Sequence, residues 1–291
     1  MNINLKKRLK NIFMIIGRGF GYLFMKPINA ISPSTFDFIF IRKTKILLPK
    51  INQYITHRDF GPDSRSVART SLRKEPSTIL WLDTFEKNSN LLDIGASVGV
   101  FSIYAAKVKK CSVVSLEPNT TAFNLLCLNV YDNHLNEKIT PYPLAASSSE
   151  GFSKVFMNVF SVDAGGANFG APIDPRGETY KPSFSQGTYS IQIDSLLTNH
   201  SNFEYIKMDT DGNELEILKG MQNILTSKEL KSILIELNEN SLDYIEIISL
   251  IESNDFEIDN DLTMKSYIST KRGAKIYNHI FNKKNNFLLI Q

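Results

Sequence analysis

The sequence predicts an α/β protein with a doubly wound, mostly parallel sheet of seven strands. Residues 91–94 form a largely apolar run that leads through small residues into a helical pattern, as expected where a parallel strand passes into a helix. Residues 112–116 form a second run of this kind. Between and after these runs, apolar residues recur with the period of a helix, so strands and helices alternate along the chain.

The other elements follow the same alternation. Residues 100–108 are predicted to form a helix, and a second helix begins after Asn119 or Thr120, either of which is a suitable N-cap. The apolar face of that second helix comprises Phe123, Leu126, Cys127 and Val130. Further strands are predicted at residues 139–146, 152–158, 232–237, 255–258 and 286–290.

The turn after the first strand indicates the class of cofactor. Gly95 and Gly99 are spaced G-x-x-x-G, whereas dinucleotide sites use G-x-G-x-x-G to hold a pyrophosphate at a helix end. We expect these glycines to let backbone N–H groups approach the ligand closely. Glu117 ends the second strand at the spacing typical of an acidic residue that binds both ribose hydroxyls, although a solvated strand-end carboxylate is the alternative. A ligand with a ribose and a charged amino-acid end but no phosphate fits this pattern, and it is S-adenosylmethionine.

Two motifs follow this turn. The first is Glu117-Pro118-Asn119, with Leu125, Leu126, Asn129 and Asn133 behind it. The second spans residues 206–220, where Lys-Met-Asp-Thr-Asp-Gly-Asn-Glu precedes a helix that ends in Leu-Lys-Gly. Together they resemble the signatures of the FkbM family of S-adenosylmethionine-dependent methyltransferases. The resemblance implies a class I methyltransferase domain with a Rossmann-like fold. Ser97 stands where the family usually has Asn, and Asp211 where it usually has Glu.

Composition favours one large enzyme domain with an appendage. A chain of 291 residues with 42% hydrophobic and 22% charged residues can bury a full core. Its two cysteines and four histidines show neither a disulfide framework nor a metal-binding spacing, so we expect a cytoplasmic protein without a metal site.

The basic charge is concentrated at the N-terminus. Residues 1–78 hold 15 Lys and Arg against 4 Asp and Glu, and apolar residues are interleaved with the basic ones. We therefore predict a basic N-terminal extension at 1–74 and a methyltransferase domain at 75–291. The apolar stretch is too short to span a bilayer, so peripheral contact with an anionic membrane is the expected role. A basic helix that caps the core is the alternative, and a nucleic-acid partner is not expected.

Residues 160–187 are rich in Gly and Pro, which leaves little room for regular structure. Long loops inside compact domains are commonly functional. We interpret this segment as a lid over the substrate, with an ordinary mobile insertion as the alternative.

Carboxylates at the predicted strand ends are the candidate catalytic groups. Methyl transfer from a sulfonium centre needs alignment of donor and acceptor, and a base is needed only for the acceptor. The candidates at this edge of the sheet are Asp209, Asp211, Glu214, Glu236 and Asn238. Asp209 and Asp211 are predicted to be catalytic, with stabilisation of a helix N-terminus as the alternative role for Asp211 and Glu214. The predicted cofactor-binding residues are Asp93, Gly95, Ala96, Gly99, Glu117 and Asp209.

The sequence thus predicts an O-methyltransferase that acts on a hydroxyl of a small molecule or glycan, such as a saccharide, glycolipid or other natural product. A magnesium site formed by Asp209 and Asp211 with Glu236 and Asn238 is a further possibility, but Gly212 turns the chain there and we predict metal-independent transfer. Two other classes remain open. One is a non-catalytic adenosyl-binding module. The other is a nicotinamide-dependent oxidoreductase, for which the third glycine of the dinucleotide motif is missing.

Overall fold

The computed structural model describes residues 42–59, 70, 72–159, 167–174, 177–264, 268–269 and 275–284. From Lys43 onward, these residues belong to one compact unit. Within these ranges, no helix is both long and apolar enough to cross a membrane. Residues 1–41, which carry most of the basic segment, lie outside the described residues, so their contact with a membrane stays a prediction.

The described ranges contain fourteen strands and seven α-helices. The strands are β1 (Arg42–Leu48), β2 (Gln53–Asp59), β3 (Asn90–Ile94), β4 (Ser112–Leu116), β5 (Ile139–Tyr142), β6 (Ala145–Ala146), β7 (Gly151–Met157), β8 (Ala167–Phe169), β9 (Phe184–Ile191), β10 (Tyr205–Met208), β11 (Ser232–Asn238), β12 (Phe256–Ile258), β13 (Ile268–Ser269) and β14 (Lys275–Lys283). The helices are α1 (Pro76–Thr84), α2 (Val100–Tyr104), α3 (Thr120–Asp132), α4 (Glu214–Lys219), α5 (Gln222–Thr226), α6 (Tyr244–Glu252) and α7 (Asn260–Met264). A π-helical turn (Ala105–Lys109) extends α2.

The main sheet has the strand order β12-β14-β11-β10-β3-β4-β5, and β13 pairs with β14. The five strands from β11 to β5 are parallel, while β14 runs antiparallel to β11 and to β12. Both faces are buried: Ile206 of β10 belongs to one apolar cluster together with Leu92, and Tyr205 belongs to the other together with Leu91. The predicted doubly wound, mostly parallel sheet is confirmed.

One strand prediction is corrected, and another stays untested. Residues 139–146 do not form one strand, because β5 ends at Tyr142 and β6 belongs to a different sheet. Pro143 lies at the break and has no N–H to continue the ladder. The last strand of the main sheet is Lys275–Lys283, whereas the predicted strand at 286–290 lies outside the described residues.

A second sheet is inserted between β5 and β10, with the order β6-β9-β7-β8. It includes parts of the segment 160–187, which the sequence predicts to have little regular structure. That prediction is wrong for residues 167–169 and 184–187, which pair with β7. Backbone pairing in an antiparallel sheet tolerates a Gly/Pro-rich surrounding sequence as long as the paired residues themselves keep their N–H groups.

The β1–β2 hairpin packs on α3, although composition assigns it to the extension 1–74. Asn129 is central to this contact: its side-chain oxygen accepts a hydrogen bond from the Arg58 N–H at 2.8 Å, and its amide donates to the Val98 carbonyl at 2.9 Å. Asn133 accepts from the Thr56 N–H at 2.9 Å. The two asparagines of the first family motif therefore hold the hairpin against the helix and against the turn that follows β3.

Candidate active site

A cavity of about 370 Å³ opens at the carboxyl ends of β3, β4, β10 and β11. This is where open α/β sheets bind their ligands, and the volume falls within the usual range for a small-molecule site. The start of α1 and strand β8 of the inserted sheet also contribute to its wall, through Glu75, Ala167 and Phe169.

The turn after β3 differs from the prediction that its N–H groups approach the ligand. The N–H groups of Gly95 and Ala96 both donate to the Leu116 carbonyl at 3.0 Å, and the Ser97 N–H donates to the Glu117 carboxylate at 2.8 Å. The Gly99 N–H donates to the Ala96 carbonyl. Because these four donors are already bonded to protein oxygens, they are not free to hold a pyrophosphate.

The two glycines serve backbone packing instead. A Cβ atom on Gly95 would lie 1.9 Å from the Asp209 carbonyl oxygen, because β3 and β10 continue their close pairing at this point. A Cβ on Gly99 would lie 2.4 Å from a methyl carbon of Leu126 on α3. Both have positive φ angles, +75° and +85°, which favour glycine. Gly95 and Ala96 line the cavity, whereas Gly99 shapes it through helix packing.

Glu117 lies at the end of β4 with its carboxylate facing the cavity. One oxygen accepts from the Ser97 N–H and the other from the Asn119 N–H, each at 2.8 Å. Each carboxylate oxygen retains a further lone pair, which suits it to accept from two neighbouring hydroxyls. Burial raises the pKa of Glu117 to about 7, against the lowering effect of the two backbone hydrogen bonds.

This pKa gives a prediction for cofactor binding. Only the carboxylate form accepts hydrogen bonds at both oxygens, so affinity for S-adenosylmethionine is expected to be constant above about pH 7 and to weaken about tenfold per pH unit below it. Glu117→Gln should remove this pH dependence, and Glu117→Ala should weaken binding about 10-fold to 150-fold at pH 8. Calorimetry measures both effects, with the exposed Glu137→Ala as the control. Unchanged affinity in a folded Glu117→Ala protein would contradict the assignment.

A row of buried polar side chains crosses the sheet one residue below the strand ends. Ser115, Asp93 and Lys207 are direct cross-strand neighbours on β4, β3 and β10. The Lys207 ammonium lies 3.9 Å from the Asp93 carboxylate and 3.2 Å from that of Asp209. Burial opposes the charge of Lys207, but the carboxylates of Asp209, Asp93 and Glu75 outweigh it and raise its pKa.

Asp93 does not contact the cavity in the way predicted. Its side chain is 1% exposed and accepts a hydrogen bond from the Ser102 hydroxyl of α2. Burial raises the pKa of Asp93, although Lys207 opposes this shift. Asp93 therefore affects the cavity only indirectly. It pairs with the Lys207 ammonium, which in turn pairs with Asp209 at the cavity.

The two predicted catalytic aspartates come together at one end of the cavity. Asp209 is ion-paired with Lys207 and keeps 28% of its side chain exposed. Asp211 has a φ angle of +58°, a conformation tolerated by Asp, and its carbonyl accepts from the side chain of Asn168 on β8. Glu214 accepts from the Thr210 hydroxyl and the Gly212 N–H, both at 3.0 Å, so it stabilises this turn.

Two further carboxylates line the same end of the cavity, Glu75 and Glu236. Glu236 was among the strand-end candidates, whereas Glu75, at the start of α1, was not. Burial raises the pKa of Glu75, and the nearby Asp209 adds to the shift. Of the groups that sequence reasoning missed, Lys207 had a signal: a lysine within an apolar central strand. In the described ranges, no group of three or more His, Cys, Asp or Glu has the geometry of a metal site.

These residues fit S-adenosylmethionine. Glu117 offers acceptors for ribose hydroxyls. The four N–H groups of the turn after β3 are already bonded to protein oxygens, so they are not free to bind a phosphate. The parallel sheet, the cavity at its carboxyl edge and this donor pattern define a class I methyltransferase domain. A family model described as the methyltransferase FkbM domain matches residues 93–258, more than half of the chain. The chain belongs to this family and is an S-adenosylmethionine-dependent methyltransferase.

Similar proteins include the hexuronic acid methyltransferase AglP of Haloferax volcanii. It is 28% identical over 184 residues, which cover 61% of this chain and 69% of AglP. Among solved structures, M. capricolum TrmK in complex with S-adenosyl-homocysteine has a TM-score of 0.40 and 13% identity, over 71% of this chain and 67% of that one. The precorrin-6y C5,15-methyltransferase of Geobacter metallireducens has a TM-score of 0.40 and 12% identity, over 71% of this chain and 88% of that one.

Proposed function

We propose that the protein is an O-methyltransferase that acts on a hydroxyl group of a saccharide, glycolipid or other natural product. The observation that carries this proposal is the group of carboxylates at one end of the cavity: Glu75, Asp209, Asp211 and Glu236. Hydroxyls are poor nucleophiles until a positioned base takes their proton, and carboxylates also orient hydroxyls by accepting hydrogen bonds. The similarity to a hexuronic acid methyltransferase supports a saccharide as the acceptor.

Each part of the cavity has its own task in this proposal. The bound cofactor supplies a methyl group on a sulfonium sulfur. Glu117 binds the ribose hydroxyls, and Asp209, held by Lys207, binds the amino group of the methionine part. Asp211 accepts a hydrogen bond from the acceptor and orients it.

The described part of the segment 160–187, residues 167–174 and 177–187, is proposed to cover the substrate, and the rest of the segment lies outside the described residues. Ala167 and Phe169 line the cavity, and Asn168 between them donates to the Asp211 carbonyl at 2.6 Å. The side chain of Gln186 bonds the start of α3, donating to the Pro118 carbonyl and accepting from the Thr120 N–H. These contacts connect the inserted sheet with both the ribose side and the acceptor side of the cavity.

Transfer of a radiolabelled methyl group to a panel of saccharides and alcohols tests the proposal. Asp209→Asn is expected to lower turnover at least about 100-fold, because the variant loses the charge that pairs with Lys207 and binds the amino group of the cofactor. Asp211→Asn is expected to lower turnover only about tenfold and to leave cofactor affinity intact, since it loses one charged hydrogen bond to the acceptor. Addition of a chelator should change nothing.

Three outcomes would contradict this proposal. Tight cofactor binding with no labelled product on any acceptor would favour the non-catalytic adenosyl-binding module. Loss of activity with a chelator and its recovery with magnesium would show that transfer depends on a metal. An Asp209→Asn variant with nearly full turnover would remove that residue from the mechanism.

A further inference from the structure

Glu236 differs from its neighbours in the hydrogen bonding of its carboxylate. Among the described residues, its carboxylate makes neither a hydrogen bond nor an ion pair, although the side chain is partly buried. Asp209 is paired with Lys207, Glu75 accepts from the Thr78 hydroxyl at 3.0 Å, and Glu117 accepts from two backbone N–H groups. Glu236 is therefore a carboxylate at this end of the cavity with its lone pairs available.

Glu236 lies between two cavities. It is near the carboxyl end of β11 and lines the cofactor cavity. It also lines a second cavity of only about 40 Å³, whose wall includes Asn238, Ser241 and Tyr244. The carboxylate thus stands between the space that fits the donor and a space bordered by hydrogen-bonding side chains.

Glu236 is only partly buried, so its carboxylate can be reached from the cavity, but it loses part of its hydration and no protein donor among the described residues replaces it. Burial raises the pKa of Glu236 well above its ordinary value. The facing carboxylates of Asp209, Asp211 and Glu75 add to the shift, while the Lys207 ammonium opposes it. A carboxylate whose pKa is moved towards neutrality is a more effective base than an ordinary one.

We propose that Glu236 is the general base that takes the proton of the acceptor hydroxyl in the cofactor cavity. This inference rests on the proposed function. The hydroxyl proton passes to a Glu236 oxygen, the acceptor oxygen forms the new bond to the methyl carbon, and the electron pair of the broken carbon–sulfur bond stays on sulfur. The proton later leaves to solvent. Asp209 is less suited to this task, because protonating it would break its ion pair with Lys207.

The first test needs no acceptor. Glu236→Gln should bind S-adenosylmethionine with unchanged affinity, within about twofold by calorimetry, because a base on the acceptor side does not hold the donor. In the complex with S-adenosylhomocysteine, carbon NMR of glutamate labelled at the carboxyl should show one resonance that is missing from the variant and titrates at a higher pH than an ordinary glutamate. A midpoint at the ordinary glutamate value or below it, or at least tenfold weaker cofactor binding, would overturn the proposal.

The second test measures turnover on the methyl glycosides of glucuronic acid and glucose. Glu236→Gln should lower kcat at least about 100-fold with little change in the acceptor KM, and the acid limb of the wild-type pH profile should disappear. The matched control is Glu246→Gln, which alters an exposed carboxylate on α6 and should keep full activity. A Glu236→Gln enzyme that keeps more than about a third of kcat would overturn the inference. If wild type binds the cofactor but methylates neither glycoside, the proposed saccharide class fails, and the first test still decides the role of Glu236.

Discussion

Replacing Lys207 by methionine is expected to lower the free energy of unfolding by about 3 to 5 kcal/mol. The lysine side chain is 2% exposed, and its ammonium is the cation between Asp93 and Asp209. Methionine preserves the apolar stem but removes the charge, which leaves the Asp93 carboxylate buried at 1% exposure without its cation. Removing one partner of a buried ion pair costs more than the pair itself contributes, because the remaining charge keeps its desolvation penalty.

The loss of stability in Lys207→Met should depend on pH, and the pKa of the buried Asp93 carboxylate determines the direction. Without Lys207, burial raises the pKa of Asp93 further above its unfolded value, since the main opposing charge is gone. The folded variant then holds a proton that the unfolded chain releases, so its stability falls as pH rises. Relative to wild type, Lys207→Met should therefore be less destabilised at pH 5 than at pH 8.

Urea denaturation monitored by circular dichroism measures the effect, provided that the m-value stays constant. The control is Lys219→Met, which removes an exposed lysine paired with Glu216 at 3.1 Å on the surface of α4. A surface pair of this kind contributes little to stability because water and salt screen it, so the control should remain close to wild type. Equal midpoints for the two variants would show that the row of polar side chains across the sheet does not depend on the Lys207 charge.

Much of the sheet could be predicted because its strands are buried on both faces. The runs at 91–94, 112–116 and 232–237 are apolar enough to be recognised without any alignment, and the cap at Asn119 accepts from the Thr121 N–H at 3.0 Å. The inserted sheet could be predicted only in part. Strand β7 matches the strand predicted at 152–158, but nothing in the sequence places it in a second sheet. Strand β9 has one exposed face and contains Gly187, so its apolar signal is weak.

Local sequence identified some site residues without showing how they act. The G-x-x-x-G spacing predicts glycines that let the backbone approach a ligand, whereas the structure uses both for packing: Gly95 leaves room for the Asp209 carbonyl, and Gly99 for Leu126. Asp93 was assigned to the cofactor because a motif records sequence order and not the direction of a side chain. Its contact with Lys207 follows from the register of β3 and β10, which pairs residues more than a hundred positions apart. Such pairings are set by tertiary structure and leave no local pattern.

Gly95→Ala is expected to destabilise the protein by about 2 to 5 kcal/mol and to weaken binding of S-adenosylmethionine about 10-fold or more. Alanine at a φ angle of +75° is strained, and its Cβ would lie 1.9 Å from the Asp209 carbonyl oxygen, so the end of β3 or of β10 must move. Either movement displaces the turn above Glu117 or the Asp209 carboxylate.

The control variant Gly170→Ala separates the strain of a positive φ angle from the clash of the added Cβ atom. Gly170 has a nearly equal φ angle of +81°, but a Cβ there meets nothing within 4 Å. This control should therefore lose only the strain of about 1 to 2 kcal/mol and keep its cofactor affinity. The difference between the two alanine variants isolates the close approach of β3 to β10. The contrary result would be equal losses of stability in the two variants, together with wild-type cofactor affinity in Gly95→Ala. The strand ends would then accommodate a methyl group without moving either Asp209 or the turn above Glu117. In that case the close approach of β3 to β10 does not shape the cofactor site.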